Sequence, residues 1–140
     1  MAGFYSKGLE VAVKAVTGDT AAPTGTLKGA FMATGYTQDQ EAHQFWNDIS
    51  SSIAAGTTIR TIASLDIRVD TANNRIEIDF ADPSETPVTA VTNQFVLFMD
   101  TGDNATSPLI VQGALSATLS PVGGTLTLTV NAEGLAAVNY

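Results

Sequence analysis

The stretch QFVLFMDTGDNATSPLIVQGALSATLSPVGGTLTLTV, residues 94–130, decides the fold class. Three apolar runs lie in it, at residues 94–99, 108–115 and 124–130. Turn residues separate them at 100–107 and 120–123. Val, Leu, Ile, Phe and Thr dominate the runs, and each is short enough to be a strand. The spacing predicts consecutive antiparallel strands at the centre of an all-β layer.

The pattern continues upstream. Leu65, Ile67 and Val69 alternate with Asp66, Arg68 and Asp70, and Ile76, Ile78 and Phe80 alternate with Arg75, Glu77 and Asp79. Residues 70–74 (DTANN) between them tolerate a left-handed backbone. Residues 58–69 and 75–80 therefore read as a β-hairpin with one apolar face. On its wet face Asp66, Arg68, Asp70, Arg75, Glu77 and Asp79 can pair across strands. Residues 26–34 read as an earlier strand with Leu27, Ala30 and Met32 among its apolar positions. Residues 81–93 read as a linker with Pro83 and Pro87, opening a further strand at 88–92. Residues 135–138 read as an edge strand or a docking arm. About seven to eight strands result, a mainly β pattern of an antiparallel sandwich, jelly-roll-like domain or partly closed barrel.

Two segments depart from it. Residues 4–16 fit both periods. Tyr5, Leu9, Ala12, Val13 and Val16 fall at helical spacing with Ser6 as a cap, while Leu9, Val11, Val13 and Ala15 alternate as in a strand. A short N-terminal helix is the preferred reading. Residues 35–52 (GYTQDQEAHQFWNDISSS) carry the only Trp and the only His. One or two helical turns over 40–49 would bring His43, Trp46 and Asn47 together. The segment is long for a plain connection, and such segments are usually functional or disordered. Phe45 and Trp46 need a surface to pack on, which argues against disorder. The expected layout is a single β domain over residues 1–140. Residues 1–25 form an N-terminal arm or helix and a loop, and residues 26–140 form the sandwich carrying an insert at 35–56.

Composition removes several functions. There is no cysteine, which excludes a disulfide framework, a thiolate metal site and a cysteine nucleophile. Fourteen acids oppose six bases, for a net charge of −8. Such a balance repels phosphates, so nucleic acid is not an expected partner. No run approaches the ~20 apolar residues of a membrane span, and the N-terminus does not resemble a signal peptide. Synthesis in the cytoplasm without classical export, and no membrane partner, are the expectations.

The motifs with chemical content are few. Asp100-Thr101-Gly102 follows an apolar strand, as in aspartic proteases, where two such aspartates share a proton. Asp103 crowds the site, and the tripeptide reads better as a turn. Asp100, Asp103 and Asn104 could offer oxygens to calcium, but Val111 stands where an EF-hand loop needs its last Glu. His43 has no evident nucleophile and carboxylate beside it, and it reads as a packing or hydrogen-bonding residue. No enzyme, cofactor or metal is expected. The aromatics of the N-terminal segment, the insert and the C-terminal tail are the candidate interface: Phe4, Tyr5, Tyr36, Phe45, Trp46 and Tyr140. For Phe45 and Trp46 a small core cluster is the competing reading.

The segment 95–130 resembles a family of small structural proteins of tailed bacteriophages. The resemblance rests on an apolar strand (95–99), Asp100-Thr101-Gly102, the run ATSPLI (105–110), Pro121, and Gly123-Gly124 leading into a Thr/Val strand (125–130). Tyr5, Gly8 and Glu10, followed by LKGAFM at residues 27–32, extend it toward the N-terminus. Relatives tend to carry an aromatic near the end of the last strand, where this chain has Val130-Asn131-Ala132. The resemblance implies a virion protein that decorates and cements an icosahedral capsid by bridging subunits of the major capsid protein. It would be a homo-oligomer, dimer or trimer, on the shell. A tail or fibre component of the same particle and a carbohydrate-binding adhesion module are the alternatives.

Overall fold

The computed structural model describes residues 3–17, 24–64, 66–73, 75–129 and 136–139. The described residues form antiparallel sheets and a short N-terminal helix. The central sheet contains β1 (Gly3–Phe4), β2 (Thr26–Ala33), β3 (Arg60–Thr61), β7 (Thr92–Asp100) and β8 (Leu109–Leu119), in the order β1-β8-β7-β2-β3. A second sheet holds β4 (Asp66–Asp70), β5 (Arg75–Asp79) and β10 (Ala136–Asn139) in the order β10-β5-β4, and β6 (Ser84–Val88) pairs with β9 (Gly124–Thr127). The helices are α1 (Ser6–Thr17) and α2 (Trp46–Ile49), and a 3-10 turn follows at Ser50–Ser52.

β7 and β8 form from the two apolar runs expected of them and pair antiparallel, as do β4 and β5 across the expected hairpin. β9 departs from the expected order. It leaves the β7–β8 sheet and joins β6 through Ser84↔Thr127, Glu85↔Leu126 and Val88↔Gly124. The far edge of β8 is taken instead by β1, with Gly3 opposite Gln112 and Phe4 opposite Val111. The expected linker with Pro83 and Pro87 contains β6 itself. Its ladder is irregular between Glu85 and Val88, and Pro87 there has no N–H to donate. β10 is an edge strand on β5, while Tyr140 lies outside the described residues.

The core has two parts, one on each face of the central sheet. Leu27, Phe31, Phe95, Leu97 and Val111 bury one face against Val88, Leu126, Phe80, Ile62 and Ala54, which makes the layering sandwich-like. Gly29 permits this packing, because a Cβ there would overlap the Phe95 ring. The opposite face presents Ala30, Met32, Val96, Phe98 and Leu109. A bare apolar face of that size costs ~25 cal/mol for each Å² left in water. Tyr36, Trp46 and Ile49 cover it. The insert is thus part of the fold rather than an appendage.

α1 forms as preferred, but with a different inner face. Val11 and Ala12 are buried, while Leu9 and Val13 are exposed. The helix turns about Gly8: a Cβ at that position would run into the backbone of Ile110. The missing side chain lets α1 lie directly on β8. Through Val11 and Ala12, α1 therefore packs into the core.

Candidate functional site

The candidate region is the corner where the end of β1, α1, the insert and the β7–β8 connection meet. Backbone bonds fasten it. The Tyr5 N–H donates to Ile110 O at 3.1 Å and the Ser6 N–H to Gln40 O at 3.0 Å. The Trp46 N–H donates to Ser107 O at 2.8 Å, the Asn47 N–H to Asn104 O at 3.1 Å, and the Leu109 N–H to Gln44 O at 2.9 Å. Asp48 Oδ2 accepts from the N–H groups of Gln44 and Phe45, both at 2.9 Å, and so terminates α2 at its start. The insert and the 101–108 loop thus brace one another.

Six interface aromatics were expected, and the structure separates them. Tyr5 is 0%, Trp46 1% and Tyr36 7% exposed. Tyr5 and Tyr36 depart from the expectation, and Trp46 follows its core-cluster reading: the three rings fill the core and offer little surface to a partner. Trp46 stacks on Phe98 with centroids 4.1 Å apart. Phe4 is half-buried and packs against the first core cluster. Phe45 is half-buried and lines an open groove of about 210 Å³ with Lys7, Glu10, Val11, Thr106 and Pro108. Tyr140 lies outside the described residues.

Tyr5, Tyr36 and His43 form a hydrogen-bonded string. The two phenolic oxygens are 2.6 Å apart, and Tyr36 Oη lies 3.3 Å from His43 Nδ1. The Asp39 N–H donates to the same Nδ1 at 3.1 Å, so this nitrogen is an acceptor. The His43 ring also stacks on Tyr36. His43 is therefore a packing and hydrogen-bonding residue. The helix expected over 40–49 starts only at Trp46, so His43 precedes it. Burial pushes the Tyr5 phenol well above its usual range, with Tyr36 adding to the shift. Burial raises Tyr36 as well. Both stay protonated and serve as donors.

Asp39, Asp100, Asp103 and Glu10 are committed to bonds within their own chain. Asp100 pairs with Lys28 on the neighbouring strand β2 and accepts from the Gly102 N–H at 2.9 Å. Gly102 takes φ +92, as a turn of this shape requires. Lys28, then the Gly102 amide, hold Asp100 below the usual carboxylate range. Asp103 Oδ1 accepts from the Ala105 N–H at 2.9 Å. Asp39 Oδ1 accepts from Ala42 and Glu41, which lower its pKa. Glu10 sits between Lys7 and Lys14, each at 2.7 Å, and is lowered to about 2 by Lys14 first and Lys7 second.

Among the described residues two acids are buried, which the sequence did not reveal. Glu77, expected on a wet face, is 3% exposed, and Arg68 Nε donates to it at 2.6 Å. Glu85 is 4% exposed. Its Oε1 accepts from the N–H and hydroxyl of Thr58 at 2.7 and 2.8 Å, and Arg60 lies 3.3 Å away. An alternating strand pattern places a carboxylate on a face but does not say whether another layer covers that face.

Among the described residues no group of three or more His, Cys, Asp or Glu is placed to hold a metal ion, and no helix is long and apolar enough to cross a membrane. What the corner can offer chemically is contact: a groove with an apolar floor of Val11, Phe45 and Pro108 and a polar rim of Lys7, Glu10 and Thr106. No family model, no curated protein and no solved structure matches the chain.

Proposed function

We propose that this chain is a virion structural protein of a tailed bacteriophage. It decorates the outside of the icosahedral shell and cements it by bridging subunits of the major capsid protein. Copies also touch one another on the shell. One observation carries the reading. The ATSPLI run on which the phage resemblance rests, residues 105–110, is the segment whose carbonyls and amides clamp the insert, through Trp46 to Ser107 and Leu109 to Gln44. The residues of the resemblance thus have a structural task, which is to hold a rigid outward corner beside α1. Asp48, Asp100 and Asp103 at that corner accept internal hydrogen bonds, which suits binding by shape.

Mechanically, a bridging protein needs only modest affinity for each subunit. Once one contact is made, the second forms at a high effective concentration. Many such bridges oppose the outward pressure of packaged DNA. The test is to add the purified chain to shells of its own virus from which it is absent, and to measure binding by co-sedimentation. Saturable binding to intact shells, with little binding to dissociated subunits, supports bridging. Equal binding to isolated tails, or none to shells, refutes it.

A further inference from the structure

The string Tyr5–Tyr36–His43 has a polarity, and one end of it fixes the rest. The Asp39 N–H donates to His43 Nδ1 at 3.1 Å, so that nitrogen carries a lone pair and no proton. The Tyr36 hydroxyl, 3.3 Å from the same nitrogen, therefore donates to it, and the Tyr5 hydroxyl donates to Tyr36 Oη across 2.6 Å. Each donor of the string then has an acceptor, although Tyr5 is 0% and Tyr36 7% exposed. This order holds only while Nδ1 stays unprotonated. Histidine is the side chain that ordinarily takes up a proton between pH 8 and pH 5. A proton on Nδ1 turns the shared acceptor into a donor. The Asp39 N–H then loses its partner. The string itself now holds three hydrogens for two phenolic oxygens. The imidazolium donates to Tyr36 Oη and Tyr36 donates to Tyr5 Oη, which strands the Tyr5 hydrogen in the core with none of the string's acceptors left to it. A buried donor without an acceptor is costly.

We propose that this string is an acid-sensitive fastening: a proton on His43 Nδ1 breaks it and loosens residues 36–43 from the N-terminal segment. Two further bonds tie the same stretch to that segment, Gln38 Nε2 to Gly3 O at 3.1 Å and the Ser6 N–H to Gln40 O at 3.0 Å. They ride on the loop that the string holds down. The surrounding groups permit the step. The Ala42 and Glu41 amides hold the Asp39 carboxyl below the usual carboxylate range, so it remains an anion and favours a cation on the neighbouring ring. Burial raises both phenols, so neither surrenders its proton in place of the ring. On α2, Asp48 is bonded to the amides of Gln44 and Phe45, and on α1, Lys7 and Lys14 pair with Glu10. The inference goes beyond the shell reading and does not depend on it.

His43 is the only histidine, so its ring gives a single, unambiguous Hε1 resonance. The experiment follows that resonance in the full chain from pH 8 to pH 5. It also follows the exchange protection of three amides, corrected for the intrinsic effect of pH. As the ring gains its proton, protection at Asp39 and Ser6 should fall roughly fivefold or more. The Leu109 amide, which donates to Gln44 O outside the string, should keep its protection. In His43→Asn the side-chain oxygen accepts but takes no proton, so protection at Asp39 and Ser6 should stay level. If that variant does not fold, the contrast with Leu109 in the wild type decides alone. A ring that stays neutral down to pH 5 would overturn the fastening. So would a ring that titrates while Asp39 and Ser6 keep their protection, Leu109 falling in step with them, or His43→Asn losing protection as the wild type does.

Discussion

Trp46 lies flat on Phe98, with ring centroids 4.1 Å apart and planes within 7° of parallel. The only tryptophan of the chain is thereby spent on covering the second face of the central sheet. Trp46→Ala should destabilise the domain by about 3–5 kcal/mol, the usual cost of emptying a large aromatic site. Trp46→Phe should lose much less, because a stacked ring remains. Urea unfolding measures both. A Trp46→Ala variant as stable as wild type would mean that the insert does not cap the core.

Gly8 supplies a test in which two effects have opposite sign. Inside a helix, Ala is favoured over Gly by about 1 kcal/mol. At Gly8, however, the added Cβ collides with the backbone of Ile110. Since backbone cannot swing aside as a side chain can, the collision should win, with a net loss of about 1–3 kcal/mol. A stabilised Gly8→Ala protein would show that α1 does not lie on β8 as described.

The dependence of stability on pH should fall away at both ends. The Tyr5 phenol is raised, so its contribution is complete below the unfolded value of about 10 and is lost as pH climbs through the folded one. Asp100 is lowered, mainly by Lys28. Its contribution is present above the unfolded value of about 4 and is lost as pH falls through the folded one. Melting temperature measured across the pH range should decline on both limbs. Tyr5→Phe should flatten the alkaline limb, and Lys28→Met the acid one.

Glu85 anchors Thr58 and Arg60 from a buried position. Glu85→Ala removes the acceptor and leaves their donors unpaired. Arg60 is partly solvated, so the loss should be about 2–3 kcal/mol, below that of a fully buried pair. Chemical denaturation of Glu85→Ala, with Glu85→Gln as the milder control, decides this. An unchanged midpoint for Glu85→Ala would show that the buried carboxylate contributes nothing to stability.

Much of the fold was legible because the strands announce themselves. The alternation in residues 65–80 gave the β4–β5 hairpin, and the apolar runs gave β7 and β8. The partner of β9 was not legible, since nothing local distinguishes pairing with β8 from pairing with the distant β6. The inner face of α1 was misread for a physical reason. Leu9 and Val13 look like the apolar stripe, but close approach is set by Gly8, a residue that carries no hydrophobic signal. The role of Trp46 had a readable clue. Ala30-Phe31-Met32 and Phe95-Val96-Leu97-Phe98 are apolar at successive positions, so both faces of the sheet need cover. The insert holding the single Trp was available to supply it. The groove was half legible: Phe45 stood among the expected interface residues, whereas Lys7, Thr106 and Pro108 join it only through the fold.

The central claim is that the chain works by contact as a component of the viral shell. The most direct measurement is the quantity of this polypeptide in purified, DNA-filled particles, read by calibrated mass spectrometry against the shell subunit. The account predicts a copy number comparable to that of the subunit, with the protein removed when shells are stripped of exterior components. Its absence from mature particles, or a handful of copies that follow the tail fraction, would contradict the claim.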